Sequence, residues 1–72
     1  MSKFDEMRRA LAKDVRIWRV VNELTQVQAA ERLGISRRVL QKIEGGQPIS
    51  VKTEIKVAQV IDTWALLQRA AK

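Results

Sequence analysis

Arg37, Arg38, Gln41 and Lys42 crowd one short stretch of the chain. Two guanidinium groups, an amide and an ammonium supply hydrogen-bond donors and positive charge. None of them is a ready nucleophile or base. An Arg fork can donate to O6 and N7 of one guanine together, and each cation can grip a phosphate. The chemistry on offer is recognition of a partner, not the making or breaking of bonds.

The remaining composition points the same way. Of 72 residues, none is His and none is Cys. The usual general base and the usual nucleophile–base pairs are missing. A structural zinc site lacks its ordinary ligands. No paired-carboxylate cluster and no Gly-rich phosphate loop is present. No enzyme, no metal and no cofactor is expected. The formal net charge of +6 suits either a solvated surface or a polyanion, nucleic acid before an anionic membrane, and charge alone does not choose between them. The lack of Cys fits a reducing compartment. No apolar run approaches the roughly 20 residues of a membrane span. Met1 to Glu6 lack the apolar core of a signal peptide, so the chain is expected to be complete and cytoplasmic.

The elements that must carry the polar stretch are helices. One Pro and three Gly interrupt the chain, and apolar spacings of three and four dominate over strand-like alternation. A first helix is predicted over 3–23, capped by Ser2, with Asp5 and Glu6 at the positive end of its dipole. Phe4, Met7, Leu11, Val15 and Trp18 form its stripe, which Ile17, Val20, Val21 and Leu24 widen. Thr25 caps a second helix that runs to Leu33, turns Ala29 and Ala30 inward, and stops at Gly34. Ser36 caps a third helix to Glu44, with Val39, Leu40 and Ile43 inward and the four polar residues outward. Gly45-Gly46-Gln47-Pro48 then forms a loop.

Ser50 caps a last helix reaching about residue 71, and it carries two apolar stripes. Ile55, Ala58, Ile61 and Ala65 make one; Val57, Val60, Trp64, Leu67 and Ala71 make the other. One stripe suffices for a small core, so the second is a candidate dimer surface. Residues 1–72 form one domain, and a chain this short buries only about 60% of its unfolded surface. A partner subunit would supply further burial.

Thr25 to Glu44 therefore reads as two short helices joined by the turn Gly34-Ile35-Ser36. Close crossing demands a small residue midway along the first helix, and Ala30 supplies it. The turn demands tolerance of positive φ, and Gly34 supplies that. Ala29, Leu33, Ile35, Leu40 and Ile43 fill the crossing.

This stretch resembles the helix-turn-helix of the phage repressor and Cro family, the xenobiotic-response-element type. Thr25-Gln26 matches the family's usual start of the second helix, and Ile43-Glu44-Gly45-Gly46 resembles the end of its recognition helix. Ile55 to Ile61 resembles its fourth-helix pattern, so the likeness covers roughly Leu11 to Ile61. It implies an all-α, lambda-repressor-like domain of four to five helices. The chain differs in having Glu23 where the family usually has Gly. It also continues past Ile61 through Asp62-Thr63-Trp64, and it begins earlier.

The resemblance also implies roles. Arg37, Arg38 and Lys42, with Gln41 beside them, take base-reading positions. Gln26 takes the place of a Gln that bridges phosphate and recognition helix. Ser36 can touch a phosphate while capping, since helix N-termini favour anions. Gln28, the backbone N–H groups of Gly46 and Gln47, and Lys52 and Lys56 are further phosphate-positioning candidates. Arg19 and Glu44 correspond to a structural ion pair. Trp18 and Trp64, set in apolar stripes, read as core or interface residues. The expected activity is sequence-specific binding of double-stranded DNA by a transcription regulator. The resemblance suggests a phage, plasmid or mobile-element repressor that binds a palindromic operator as a homodimer, with recognition helices about 34 Å apart. The alternative is an antitoxin-like interaction module that binds DNA and also holds a toxin or another protein.

Overall fold

The computed structural model describes residues 2–71, which form α1 (Lys3–Val21), α2 (Gln26–Leu33), α3 (Arg37–Glu44) and α4 (Val51–Ala70). No strand occurs among the described residues. The domain is all-α.

Each helix starts on a hydroxyl. Ser2, Thr25, Ser36 and Ser50 have extended backbones, and each side-chain oxygen accepts the N–H three residues on. A cap of this kind contributes about 1 kcal/mol. At Thr25 the arrangement is reciprocal. Its Oγ1 accepts the Gln28 N–H at 3.1 Å, and Gln28 Oε1 accepts the Thr25 N–H at 2.9 Å.

The first three helices end alike. Glu23, Gly34 and Gly46 adopt φ of 54°, 69° and 70°, the left-handed region. Around each, two backbone bonds close the helix end. Glu23 N–H donates to Val20 O at 3.0 Å and Leu24 N–H to Arg19 O at 2.9 Å. Gly34 N–H reaches Glu31 O and Ile35 N–H reaches Ala30 O; Gly46 N–H reaches Ile43 O and Gln47 N–H reaches Lys42 O. This paired closure satisfies carbonyls that would otherwise lack partners. It also ends α1 at Val21, short of the predicted residue 23, because a left-handed residue cannot continue a right-handed helix.

The core collects Val15 and Trp18 from α1, Ala29, Ala30 and Leu33 from α2, Leu40 and Ile43 from α3, and Val57 and Ile61 from α4. The two alanines let α2 approach α3 closely. α1 also packs on α3, and α4 closes the bundle against α1 and α2.

Here the expected division of α4 into two stripes fails. Its core line is Val57, Ile61 and Trp64, at spacings of four and three, and it takes residues from both stripes. Val57 is fully buried and Trp64 is half-buried against the core, so neither belongs to a free dimer surface. Of that candidate set only Val60, Leu67 and Ala71 are exposed. Both stripes satisfied helical periodicity. The position of the other helices drew the core line from both.

The first helix also outruns the core. Phe4 and Met7 stand 67% and 58% exposed, although they continue the spacing of Leu11, Val15 and Trp18. With Leu11, Val51, Ile55 and Ala58 they line an open apolar groove of about 360 Å³ between α1 and α4. No helix among the described residues is long and apolar enough to cross a membrane.

Candidate nucleic-acid interface

Leu40 and Ile43 anchor α3 in the core at 0% and 2% exposure. An α-helix so fixed on one side must turn its other side to solvent. Arg37, Arg38, Gln41 and Lys42 are all exposed there. Arg38 and Lys42 are four apart and share one line of the surface; Arg37 and Gln41 share the line beside it.

The start of α2 lies against the middle of α3. Gln41 Nε2 donates to Gln26 Oε1 at 3.4 Å. The amide N–H groups of Gln26 remain available to an acceptor outside the chain. Neither α2 nor α3 has an acidic residue in its first turn, whereas α1 has Asp5 and Glu6 and α4 has Glu54. The positive dipole ends of α2 and α3 are therefore left to an external anion. Ser36, at the start of α3, is exposed and spends its hydroxyl oxygen on the Val39 N–H at 3.1 Å.

The other predicted phosphate contacts divide. Gln28 is exposed, but its Oε1 belongs to the Thr25 cap, leaving its amide N–H groups. Lys52 is exposed in the first turn of α4. Lys56 instead reaches back, and its Nζ donates to Gly34 O at 3.0 Å, tying α4 to the turn between α2 and α3. The backbone donors expected at Gly46 and Gln47 are corrected outright. Their N–H groups are spent on Ile43 O and Lys42 O, at 3.0 and 2.9 Å, because they close the end of α3.

Arg19 and Glu44 meet in two parallel bonds. Arg19 Nε lies 2.9 Å from Glu44 Oε2, and Nη2 lies 3.0 Å from Oε1. Arg19 Nη1 donates to Leu24 O at 3.3 Å. One guanidinium thus joins α1, the α1–α2 connection and the last residue of α3. The side chains are 22% and 9% exposed, so the pair is largely shielded from water.

Sequence reasoning did not single out Arg9, Lys13 and Arg16. They line a groove of about 480 Å³ with Ala12, Glu44, Gly45 and Gly46, at the far end of the recognition helix. Their signal was legible as spacings of four and three. It lay outside the helix-turn-helix, on a helix read for its apolar stripe. Among the described residues no cluster of His, Cys, Asp or Glu could hold a metal ion.

The pattern of the Cro/C1-type helix-turn-helix family matches residues 15–63. That span takes in the end of α1, all of α2 and α3, and most of α4. No curated protein and no solved structure matches the chain. The matched family consists of DNA-binding regulatory domains that are not typically enzymes. The match covers well over half of the residues, and it falls on the elements that present Arg37 to Lys42. The chain belongs to the Cro/C1-type helix-turn-helix family and is a DNA-binding transcription regulator.

Proposed function

We propose that this regulator is a cytoplasmic repressor that occupies a palindromic or near-palindromic operator as a homodimer. One observation carries the reading. The outer side of α3 presents Arg37, Arg38, Gln41 and Lys42, all exposed, while its inner side is locked by Leu40 and Ile43. A helix fixed in this way can enter the major groove without rearranging. Arg37, Arg38 and Lys42 then read base edges, with Gln41 beside them. Gln26, Gln28 and Ser36 hold the phosphates at the start of the helix pair, and Lys52 extends that track. Lys56 acts mainly by fixing the turn at Gly34. Occupancy alone suffices for repression.

The apolar groove supports the homodimer reading. Phe4, Met7, Val51 and Ile55 are more than half exposed, and a second copy would bury them. The same exposed residues favour a second reading, in which an antitoxin-like chain uses this groove for a toxin. Sedimentation of the pure protein separates the two. A dimer supports self-association, and a monomer that aggregates on concentration supports a missing partner.

The test of DNA reading is selection of bound sequences from a random duplex pool at about 150 mM salt. A palindromic motif is expected. Arg37→Ala, Arg38→Ala and Lys42→Ala should each relax preference at defined base pairs. A pool with no enriched motif overturns the proposal.

A further inference from the structure

Beyond the helix-turn-helix, the outer face of α1 carries a line of cations. Arg9, Lys13 and Arg16 are all exposed, and they share one side of the groove that Gly45 and Gly46 close on the other. Among the described residues, the ion pairs are Arg8–Asp5 and Arg19–Glu44, so these three cations have no carboxylate partner. Like charges at helical spacings of three and four destabilise a helix by about 0.2–0.5 kcal/mol per pair. A bound polyanion would offset that cost.

Two features of the groove oppose an anion, and both are offset. Glu44 lines it, but its carboxylate is already held by both prongs of Arg19. The negative dipole end of α3 also faces the groove, and it amounts to about half a charge. Three full positive charges outweigh it. Gly46 has open space where a Cβ would stand, so a bulky chain can approach the backbone closely.

Position decides which anion. A helix lying in the major groove has a sugar–phosphate wall on either side. The starts of α2 and α3 face one wall. The groove lies at the opposite end of α3, where the other wall must pass.

We infer that Arg9, Lys13 and Arg16 form a second phosphate-gripping track, which binds backbone of the operator duplex flanking the bases that α3 reads. This rests on the DNA-reading proposal above. It enlarges the footprint past the helix-turn-helix, and it adds affinity without adding base preference.

The test uses the full chain and its selected duplex. The variant carrying Arg9→Gln, Lys13→Gln and Arg16→Gln is expected to bind about 10-fold more weakly near 150 mM salt, and the salt slope of its affinity should fall by about 2 to 3, since each phosphate contact contributes about 0.9. Its selected motif should be unchanged. A duplex trimmed to the motif should erase the difference between variant and wild type. The charge-keeping changes Arg9→Lys and Arg16→Lys should retain the full slope. Wild-type binding with an identical slope and affinity in the triple glutamine variant overturns the inference and leaves DNA reading intact. A wild-type chain with no duplex affinity overturns both.

Discussion

Arg19 grips Glu44 across 25 residues of sequence, with both carboxylate oxygens held by one guanidinium. The bond ties the last residue of the recognition helix to the helix behind it. Its third contact, to Leu24 O, fixes the connection through which α2 enters the fold. The orientation of α3 is thus set at its inner face by packing and at its end by charge.

Removing one partner strands the other. Arg19→Ala or Glu44→Ala should cost about 2–3 kcal/mol, near the lower end expected for a shielded pair. Urea unfolding followed by circular dichroism measures it. The doubly substituted chain should be no worse than either single one by more than about 0.5 kcal/mol. A single-variant cost below about 0.5 kcal/mol would place the pair among exposed ones.

The left-handed helix ends make opposite predictions at two positions. Glu23 has φ 54°, where an L side chain is strained, so Glu23→Gly should stabilise the fold by about 1 kcal/mol. Gly34 has φ 69°, and a Cβ there would stand 2.7 Å from Lys56 Nζ. Gly34→Ala should therefore destabilise by about 1–2 kcal/mol and release Lys56 from its carbonyl partner. Thermal melts of both variants check the pair of signs.

Burial separates residues that periodicity grouped. Val57→Ala should cost about 2 kcal/mol of stability, because it opens a hole in the core. Phe4→Ser and Leu67→Ser should leave monomer stability within about 0.5 kcal/mol. If the groove between α1 and α4 is the homodimer contact, Phe4→Ser also weakens self-association and Leu67→Ser does not. Sedimentation equilibrium across a concentration series distinguishes them.

Base reading and phosphate holding differ in what they change. Replacing whichever of Arg37, Arg38 and Lys42 contacts a base by two bonds should cost about 1–3 kcal/mol of discrimination at that base pair. Gln28→Ala should weaken binding to every sequence alike, and it should also loosen the Thr25 cap by about 1 kcal/mol. Titrations against the selected duplex and single-base variants of it resolve the two patterns.

Asp5 gives a pH dependence with a definite sign. Hydrogen bonding to Ser2, with the Arg8 guanidinium beside it, holds its carboxyl below the usual 3.8. A group whose folded pKa is lowered adds stability above its unfolded value and loses it as pH falls through the folded one. Asp5→Asn should therefore lose a small stabilisation at neutral pH, flatten the acid limb below about pH 4, and converge with wild type at the lowest pH. An NMR titration of the Asp5 carboxyl with a midpoint above 3.8 contradicts this.

Much of this architecture was legible because local chemistry marks it. Ser2, Thr25, Ser36 and Ser50 announce four helix starts, and Gly34 announces the tight turn. The outward face of α3 follows from the inward spacing of Val39, Leu40 and Ile43. What could not be read depended on relations between helices. Val57 and Val60 have the same side chain in the same helix, and only the neighbouring helices decide that one is buried. Backbone donors at Gly46 and Gln47 seemed free until the closure of α3 claimed them. Glu23 hides a left-handed residue because Glu rarely marks one.

The shared ending of α1, α2 and α3 has a thermodynamic consequence. Connections closed by paired backbone bonds leave little loop entropy to be lost when a ligand arrives. Complex formation should then lack the heat-capacity signature of coupled folding, which accompanies burial of about 1,000–3,000 Å² by an ordering segment. Adaptation at the contact falls to side chains and to the duplex. The bases best bound are then those that let DNA bend to a fixed protein surface, including bases the protein never touches.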